Sequence, residues 1–286
     1  MQNFTKGTRI EQEAFSEVDH LLNETIRVLT AHESIRSFDS KLISDEMLKM
    51  ITISARSAPT SSNLQAYSII VVKEESKKAR LAVLSGNQSF VEQAPVFLIF
   101  CADIYRLKYV TESQNHAFLA NTLEMFLLSS MDATLGLQNA VIAAESLGLG
   151  CVPVGSIRND PEAVAIELGL PEGVFAISGL SIGYEKVGGR RGVKPRLPEK
   201  ITIHQEIYDV KDLDLHLEEY DQTMIARKTY DGRRVSIAGE PENHGIDYGW
   251  REHTARRCTK PETIAASSSL RTNLKDALVK RGFTIK

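Results

Sequence analysis

Four short apolar runs alternating with helical periodicity place this chain in the α+β or α/β class, around a mixed sheet of four or five strands. Three observations carry that expectation. The runs at 67–72 (YSIIVV), 95–101 (PVFLIFC), 151–154 and 175–182 (FAISGLSI) have the length and β-branched content of buried strands. Helical spacing separates them, and the Ala- and Leu-rich stretch 116–147, apolar on most sides, reads as a central core helix. No internal repeat breaks the order, and no apolar run approaches the roughly 20 residues of a membrane span.

The elements follow in order. Phe15, Val18, Leu22, Ile26 and Leu29 share one face of a helix over 11–30. Ser44, followed by Asp45, Glu46 and Met47, has the pattern of an N-cap, with a helix running to about Arg56. Pro59 and the polar run to Asn63 form a loop before the first strand. A charged helix spans about 74–84, and Ser85-Gly86-Asn87 turns the chain into the second strand. Gly148 closes the long helix. Pro161 opens a helix ending near Leu168, ahead of the fourth strand. The basic, Gly- and Pro-containing stretch 187–198 cannot hold a regular element for long. From about 200 the pattern is patchy, with helices near 212–228 and 268–281 separated by a polar loop around 239–249. This part reads as an arm that packs on its own domain or on a second copy. Residues 1–25 read as an N-terminal extension to a domain over 26–286.

The bulk properties exclude several functions. Apolar residues make up 42 % of the 286 and charged residues 25 %, with a net charge of −3, so no basic excess marks a nucleic-acid binder. Cys101, Cys151 and Cys258 lie far apart, without CxxC, and read as idle thiols in a reducing compartment. The histidines form no HExxH or HxxxH pair, so no metal is expected. The opening MQNFTKGTRIEQEAF lacks an apolar signal core, which points to the cytoplasm.

Four clusters carry chemistry. His32-Glu33-Ser34-Ile35-Arg36-Ser37-Phe38 puts an imidazole, hydroxyls and a guanidinium fork in one segment, a set able to hold a phosphate or an anionic ring edge. Thr60-Ser61-Ser62-Asn63 offers hydroxyl and amide groups suited to a ribityl or ribose chain. Gly148 to Asn159 holds closely spaced glycines, but the first of them follow a helix and precede a strand, so a dinucleotide fingerprint is rejected. Val154, Gly155 and Ser156, at the strand's end, can instead present backbone N–H groups to a ligand. Lys194-Pro195-Arg196-Leu197-Pro198 places two cations on one side of a stiffened chain, as a phosphate clamp requires. Singly, each cluster also fits a solvated loop.

Together and in this order, with Ser85-Gly86-Asn87-Gln88 and the stretch AVIAAESLGLG, the clusters resemble the nitroreductase superfamily, in its branch of NADPH-dependent nitroreductases and NADPH–flavin oxidoreductases. The resemblance implies an α+β fold, with a mixed central sheet flanked by helices in an intertwined homodimer. It also implies one FMN at each of two subunit interfaces. His32 and Ser34 match phosphate contacts, and Lys194 and Arg196 match a second phosphate clamp. Arg36 matches a cation at the flavin's pyrimidine edge, and Thr60, Ser61, Ser62 and Asn63 match the ribityl loop. Gln88 matches a ring-contacting amide, and Val154, Gly155 and Ser156 match the backbone facing N5. Arg227 and Arg233 match the arginines that hold the 2′-phosphate of NADPH. The implied reaction is ping-pong: hydride passes from NADPH to FMN N5, then two electrons go to a nitroaromatic, quinone or flavin acceptor. No acid–base dyad is needed. The alternatives are an NADPH–FMN reductase releasing free reduced flavin and a non-catalytic flavin-binding protein.

Overall fold

The structure, a computed structural model, describes Arg9 and residues 20–188, 192–232, 234–237, 248–259 and 274–285. They belong to two units, one within Met1–Lys194 and Asn273–Lys286, the other within Pro195–Thr272.

The first unit is organised around a strand buried at every position. Its helices and strands are α1 (Glu24–Thr30), α2 (Asp45–Arg56), β1 (Tyr67–Val72), α3 (Glu75–Leu84), α4 (Ser89–Gln93), β2 (Val96–Asp103), α5 (Tyr105–Ser113), α6 (Leu123–Ser146), β3 (Gly150–Val154), α7 (Pro161–Leu168), β4 (Val174–Gly183) and α10 (Leu274–Lys280). The sheet order is β1-β2-β4-β3. Along β2, alternate side chains serve two cores, as the two-residue period of a strand requires. Val96, Leu98 and Phe100 pack with α2 and α6 residues such as Ile51, Ala133 and Leu137. Phe97, Ile99 and Cys101 pack with Leu81 of α3 and Val164 of α7. A strand clothed on both faces has no room for polar residues, which is why β2 reads as an unbroken apolar run.

All three strand pairings are antiparallel. Among the described residues, the mixed sheet expected from the sequence therefore keeps a parallel component only as the isolated bridge between Ser34 and Cys151. An apolar run specifies burial, whereas direction depends on the side from which each connecting helix returns. Gly179 of β4 faces β2 so closely that a Cβ would lie 2.2 Å from the Phe97 ring.

Local signals set the helix ends. The Ser44 hydroxyl accepts from Met47 N at 3.2 Å, and Pro161 occupies the first turn of α7. Gly148, at φ +76°, closes α6: its N–H donates to Glu145 O at 3.0 Å, and Leu149 N donates to Ala144 O at 3.0 Å. Helix α6 starts at Leu123 rather than at 116, because Thr122 caps it, accepting from Met125 N at 3.2 Å. Asn121 is committed elsewhere, to Gly282 O and Thr284 N near the C-terminus. Helix α5 went unforeseen, although the carboxylate of Asp103 caps it by accepting from Arg106 N at 3.2 Å. Of the helix expected over 11–30, residues 11–19 lie outside the described residues and α1 begins after its cap Asn23.

The expectation of a core helix holds for one face of α6. The other face exposes Leu123, Leu127, Met131 and Leu135, a row at four-residue spacing, each between 44 and 52 % exposed. Helix α2, tied to α6 by Asn139 Nδ2 donating to Ser54 O at 3.1 Å, exposes Met50 and Ile53.

The second unit pairs α8 (Leu213–Ala226) with α9 (Trp250–Thr259), the latter not anticipated. Buried Asp221 accepts from Arg251 N at 2.7 Å. The Arg251 guanidinium forks onto Asp214 and Glu218, both at 2.7 Å. Residues 192–198 adopt no regular element, as their composition requires. The helix expected over 268–281 is α10 within the first unit, where Leu278 and Phe283 pack against Phe175.

Candidate functional site

The segment after α1 is threaded onto the edge of the sheet. Ile35 N donates to Cys151 O at 3.0 Å, Asp39 N donates to Tyr184 O at 2.8 Å, and Phe38 bridges Glu185. Ile35 and Phe38 point into the core with Val152, while Ser34 stays half-buried and Arg36 exposed. Gly150 admits this threading, since a Cβ there would sit 2.7 Å from the Ile35 side chain. Three polar groups result on one corner. His32 Nδ1 lies 2.6 Å from Glu145 Oε1, and its Nε2 lies 3.5 Å from Ser34 Oγ. Arg36 donates to the Ser34 carbonyl at 3.3 Å. Arg9, far upstream in sequence, donates to the carbonyls of Thr30 and His32.

The second cluster is a strained loop held by a buried acid. Thr60 precedes a short 3-10 turn over Ser61–Asn63, and Ser62, Asn63 and Gln65 all take left-handed backbone, with φ of 48°, 56° and 50°. Such angles persist in non-glycine residues only where the surroundings over-determine them. Asp132 of α6, 1 % exposed, does so: Oδ1 accepts from Ser61 N at 3.0 Å and Oδ2 from Ala66 N at 3.1 Å. Arg106 braces the exit, donating to Gln65 O at 3.2 Å, to Tyr67 O at 2.9 Å and to Asp103 at 2.8 Å. The hydroxyls of Thr60, Ser61 and Ser62 thus stand on a fixed frame.

The remaining positions are spread over both units. Gln88 precedes α4 after a left-handed Gly86-Asn87 pair, and Phe90, two residues on, packs against the Ile35 and Phe38 cluster. Val154 is buried at the end of β3, and Gly155 and Ser156 begin a 3-10 turn. Arg158 closes that turn, its guanidinium donating to Ile177 O. A Cβ on Gly155 would meet Arg158 at an ordinary 3.5 Å, so the fold alone does not demand glycine there. Lys194 and Arg196 are exposed, with buried Val193 beside them, the alternation expected of cations on one side of a chain. Arg227 is the exposed C-cap of α8, where a cation also suits the helix dipole. Arg233 lies outside the described residues.

The structure brings His32, Ser34 and Arg36 together and gathers Thr60 to Asn63 into one loop. It does not bring these two clusters together within one chain. Their anchors, Glu145 and Asp132, are 13 positions apart on α6, about 20 Å along a helix rising 1.5 Å per residue. Sequence reading missed Glu145 and Asp132, because ionisable residues within a helical stretch read as solvated surface, and Arg106, because the helix that carries it was not foreseen. The signal for Asp132 was an acid in the middle of an apolar helical stretch, between Met131 and Ala133. Among the described residues no group of three or more His, Cys, Asp or Glu is placed to hold a metal, and no helix is long and apolar enough to cross a membrane. Burial pushes the Cys101 thiol up to about 12 and the Cys151 thiol well above its usual range, so both stay protonated.

A model of the nitroreductase family matches residues 29–184, and a model of that family's C-terminal domain matches residues 194–286. The chain belongs to the nitroreductase family. It is 42 % identical over 207 residues to the FMN reductase (NAD(P)H) of Bacillus subtilis strain 168, a match covering 71 % of this chain and 82 % of that protein. It is 38 % identical over 241 residues to the NADPH-flavin oxidoreductase of Vibrio harveyi, covering 79 % of this chain and 96 % of that one. Among solved structures, B. megaterium NfrA2 superposes with a TM-score of 0.81 at 36 % identity, over 93 % of this chain and all of that one. The antiparallel four-stranded sheet with its helices is thus the α+β nitroreductase fold, and the four clusters lie within the matched residues of this nitroreductase-family chain.

Proposed function

We propose that this protein is an FMN-dependent oxidoreductase that takes electrons from NADPH and passes them to a nitroaromatic, quinone or flavin acceptor. The observation that carries the reading is the convergence of His32 Nε2 and Ser34 Oγ, 3.5 Å apart, at a sheet edge on a chain of this family. That donor pair fits a phosphate monoester, and the hydroxyl-rich loop over 60–63 fits a polyol. Bound FMN supplies a two-electron carrier between NADPH and the acceptor. The protein's part is to bind, orient and tune. His32 and Ser34 are assigned to the phosphate with Lys194 and Arg196, Arg36 to the pyrimidine edge and Thr60, Ser61, Ser62 and Asn63 to the ribityl chain. Gln88 is assigned to the ring, and Val154, Gly155 and Ser156 to its reactive edge. The names of the similar FMN reductase and flavin oxidoreductase favour a second reading, delivery of free reduced flavin. Reduced FMN recovered in a filtrate after anaerobic turnover separates it from direct acceptor reduction. A cytoplasmic location belongs to the same proposal, and cell fractionation checks it.

The reading includes a homodimer. Clusters whose anchors, Glu145 and Asp132, lie about 20 Å apart along α6 form one site when a second copy brings its 60–63 loop toward the first copy's His32 corner. The apolar row of α6 is the face such a copy would cover. Leu127→Glu is expected to turn a dimer into monomers in light-scattering chromatography and to lower FMN occupancy together with it. Retention of the dimer by this variant, or a monomeric wild type, contradicts the shared site.

Residues from about 200 onward are proposed to serve the dimer and the nicotinamide site, with Arg227 and Arg233 holding the 2′-phosphate. Arg227→Ala is expected to raise KM for NADPH about tenfold, the size of one charged hydrogen bond, with little change for NADH. Equal changes for both coenzymes would move the 2′-phosphate site elsewhere.

A further inference from the structure

We infer that Glu145 is the positioning residue that sets His32 to receive a phosphate, so that this acid, which touches no ligand itself, determines preference for FMN over the same flavin without phosphate. The inference rests on the assignment of His32 and Ser34 to the FMN phosphate.

Glu145 sits one residue before the end of α6, and its side chain is 14 % exposed. Its Oε1 lies 2.6 Å from His32 Nδ1. An ionised carboxylate only accepts, so Nδ1 carries the hydrogen and donates it. Nε2, on the opposite edge of the ring, faces Ser34 Oγ; it donates to a phosphate only in a ring that carries hydrogen on both nitrogens, and the Glu145 carboxylate at Nδ1 is the group that balances the charge of such a ring. The second partner of an orienting carboxylate–histidine pair fixes both tautomer and ring direction. Glu145 is itself held, because Cys151 Sγ donates to the same Oε1 at 3.9 Å, and burial keeps that thiol protonated.

Cys151 is also the residue whose carbonyl accepts from Ile35 N and whose backbone bridges Ser34. One strand position therefore registers the carboxylate, through its thiol, and the serine, through its main chain. Arg9 holds the His32 carbonyl at 3.0 Å, so ring and backbone are both constrained. A bond that merely tied α1 to α6 would require no such coupling to Ser34.

The test is a titration of the flavin-free protein with FMN and with riboflavin, followed by flavin fluorescence, for wild type, Glu145→Gln, His32→Ala and the double variant. Glu145→Gln keeps size and an acceptor oxygen but removes the negative charge that supports a ring carrying hydrogen on both nitrogens, the form in which Nε2 donates to a phosphate. Its FMN Kd is expected to rise about tenfold, as for one charge-assisted hydrogen bond, with riboflavin Kd unchanged. The double variant is expected to lose no more than His32→Ala, because Glu145 acts through the imidazole. Glu145→Asp, which withdraws the carboxylate by one methylene, should show the same selective loss. Equal weakening of both flavins, an unchanged FMN Kd, or additive losses in the double variant would overturn the role. A wild type that binds riboflavin as tightly as FMN would remove the phosphate assignment and this inference with it.

Discussion

Asp132→Asn is expected to destabilise the protein by about 2 kcal/mol, and Asp132→Ala by about 3 kcal/mol, since a buried N–H such as that of Ala66 left without an acceptor costs roughly 1–3 kcal/mol and the part-buried N–H of Ser61 costs less. The side chain is buried on α6 and its two oxygens serve two separate donors, Ser61 N and Ala66 N. Asparagine keeps one acceptor and turns an NH2 toward the other donor, whereas alanine abandons both. The donors bracket a loop in which three residues hold left-handed angles, so the loss is not confined to stability. Released from its clamp, the loop is expected to relax, and the hydroxyls proposed to hold the ribityl chain leave their frame. FMN affinity should therefore fall alongside the denaturant midpoint. Urea unfolding at constant m-value measures the first effect, and a flavin titration measures the second. Wild-type values of both in Asp132→Asn would show that the carboxylate is not what fixes the loop.

Arg36→Ala is expected to weaken FMN binding tenfold or more and to lower the reduction potential by about 30–60 mV, the two-electron equivalent of roughly 1.5–3 kcal/mol for a charge-assisted hydrogen bond. The sign follows from charge. Reduction adds negative charge along the flavin's pyrimidine edge, and a fixed cation there favours the reduced form, so its removal drives the potential down. Arg36 is exposed, but its guanidinium is already directed back along the segment by its bond to Ser34 O. Arg36→Lys keeps the charge and loses the fork, and should fall between wild type and alanine. Anaerobic titration against a reference dye gives the potential. An unchanged potential with weakened binding would leave Arg36 a role in affinity alone.

Much of the fold was legible because it depends on short-range rules. The four strands were recognisable from buried β-branched runs, the Ser44 cap from its hydroxyl, and Gly148 from the left-handed turn that only glycine takes easily. Direction was not legible, and the sheet is antiparallel where a mixed one was expected. Helix α5 was missed because the expected strand stopped at Cys101, and Asp103, which ends β2 in the structure, gives no sign in sequence that its carboxylate also caps the next helix. The outer face of α6 looked like core because apolar side chains carry no mark of who covers them. The candidate site divided the same way. The residues proposed to face the ligand lie in loops, where they read as polar clusters. The residues that hold them, Glu145, Asp132 and Arg106, act across 113, 66 to 71, and 38 to 41 positions, a separation that no local pattern records.

The most direct test of the central proposal is the visible spectrum of the purified protein, before and after NADPH is added under nitrogen. The account predicts a yellow protein whose flavin band bleaches with NADPH and returns when a quinone or nitroaromatic is added. A colourless protein that FMN cannot reconstitute would contradict it, and a flavin band that NADPH leaves unchanged would reduce the protein to a flavin binder without turnover.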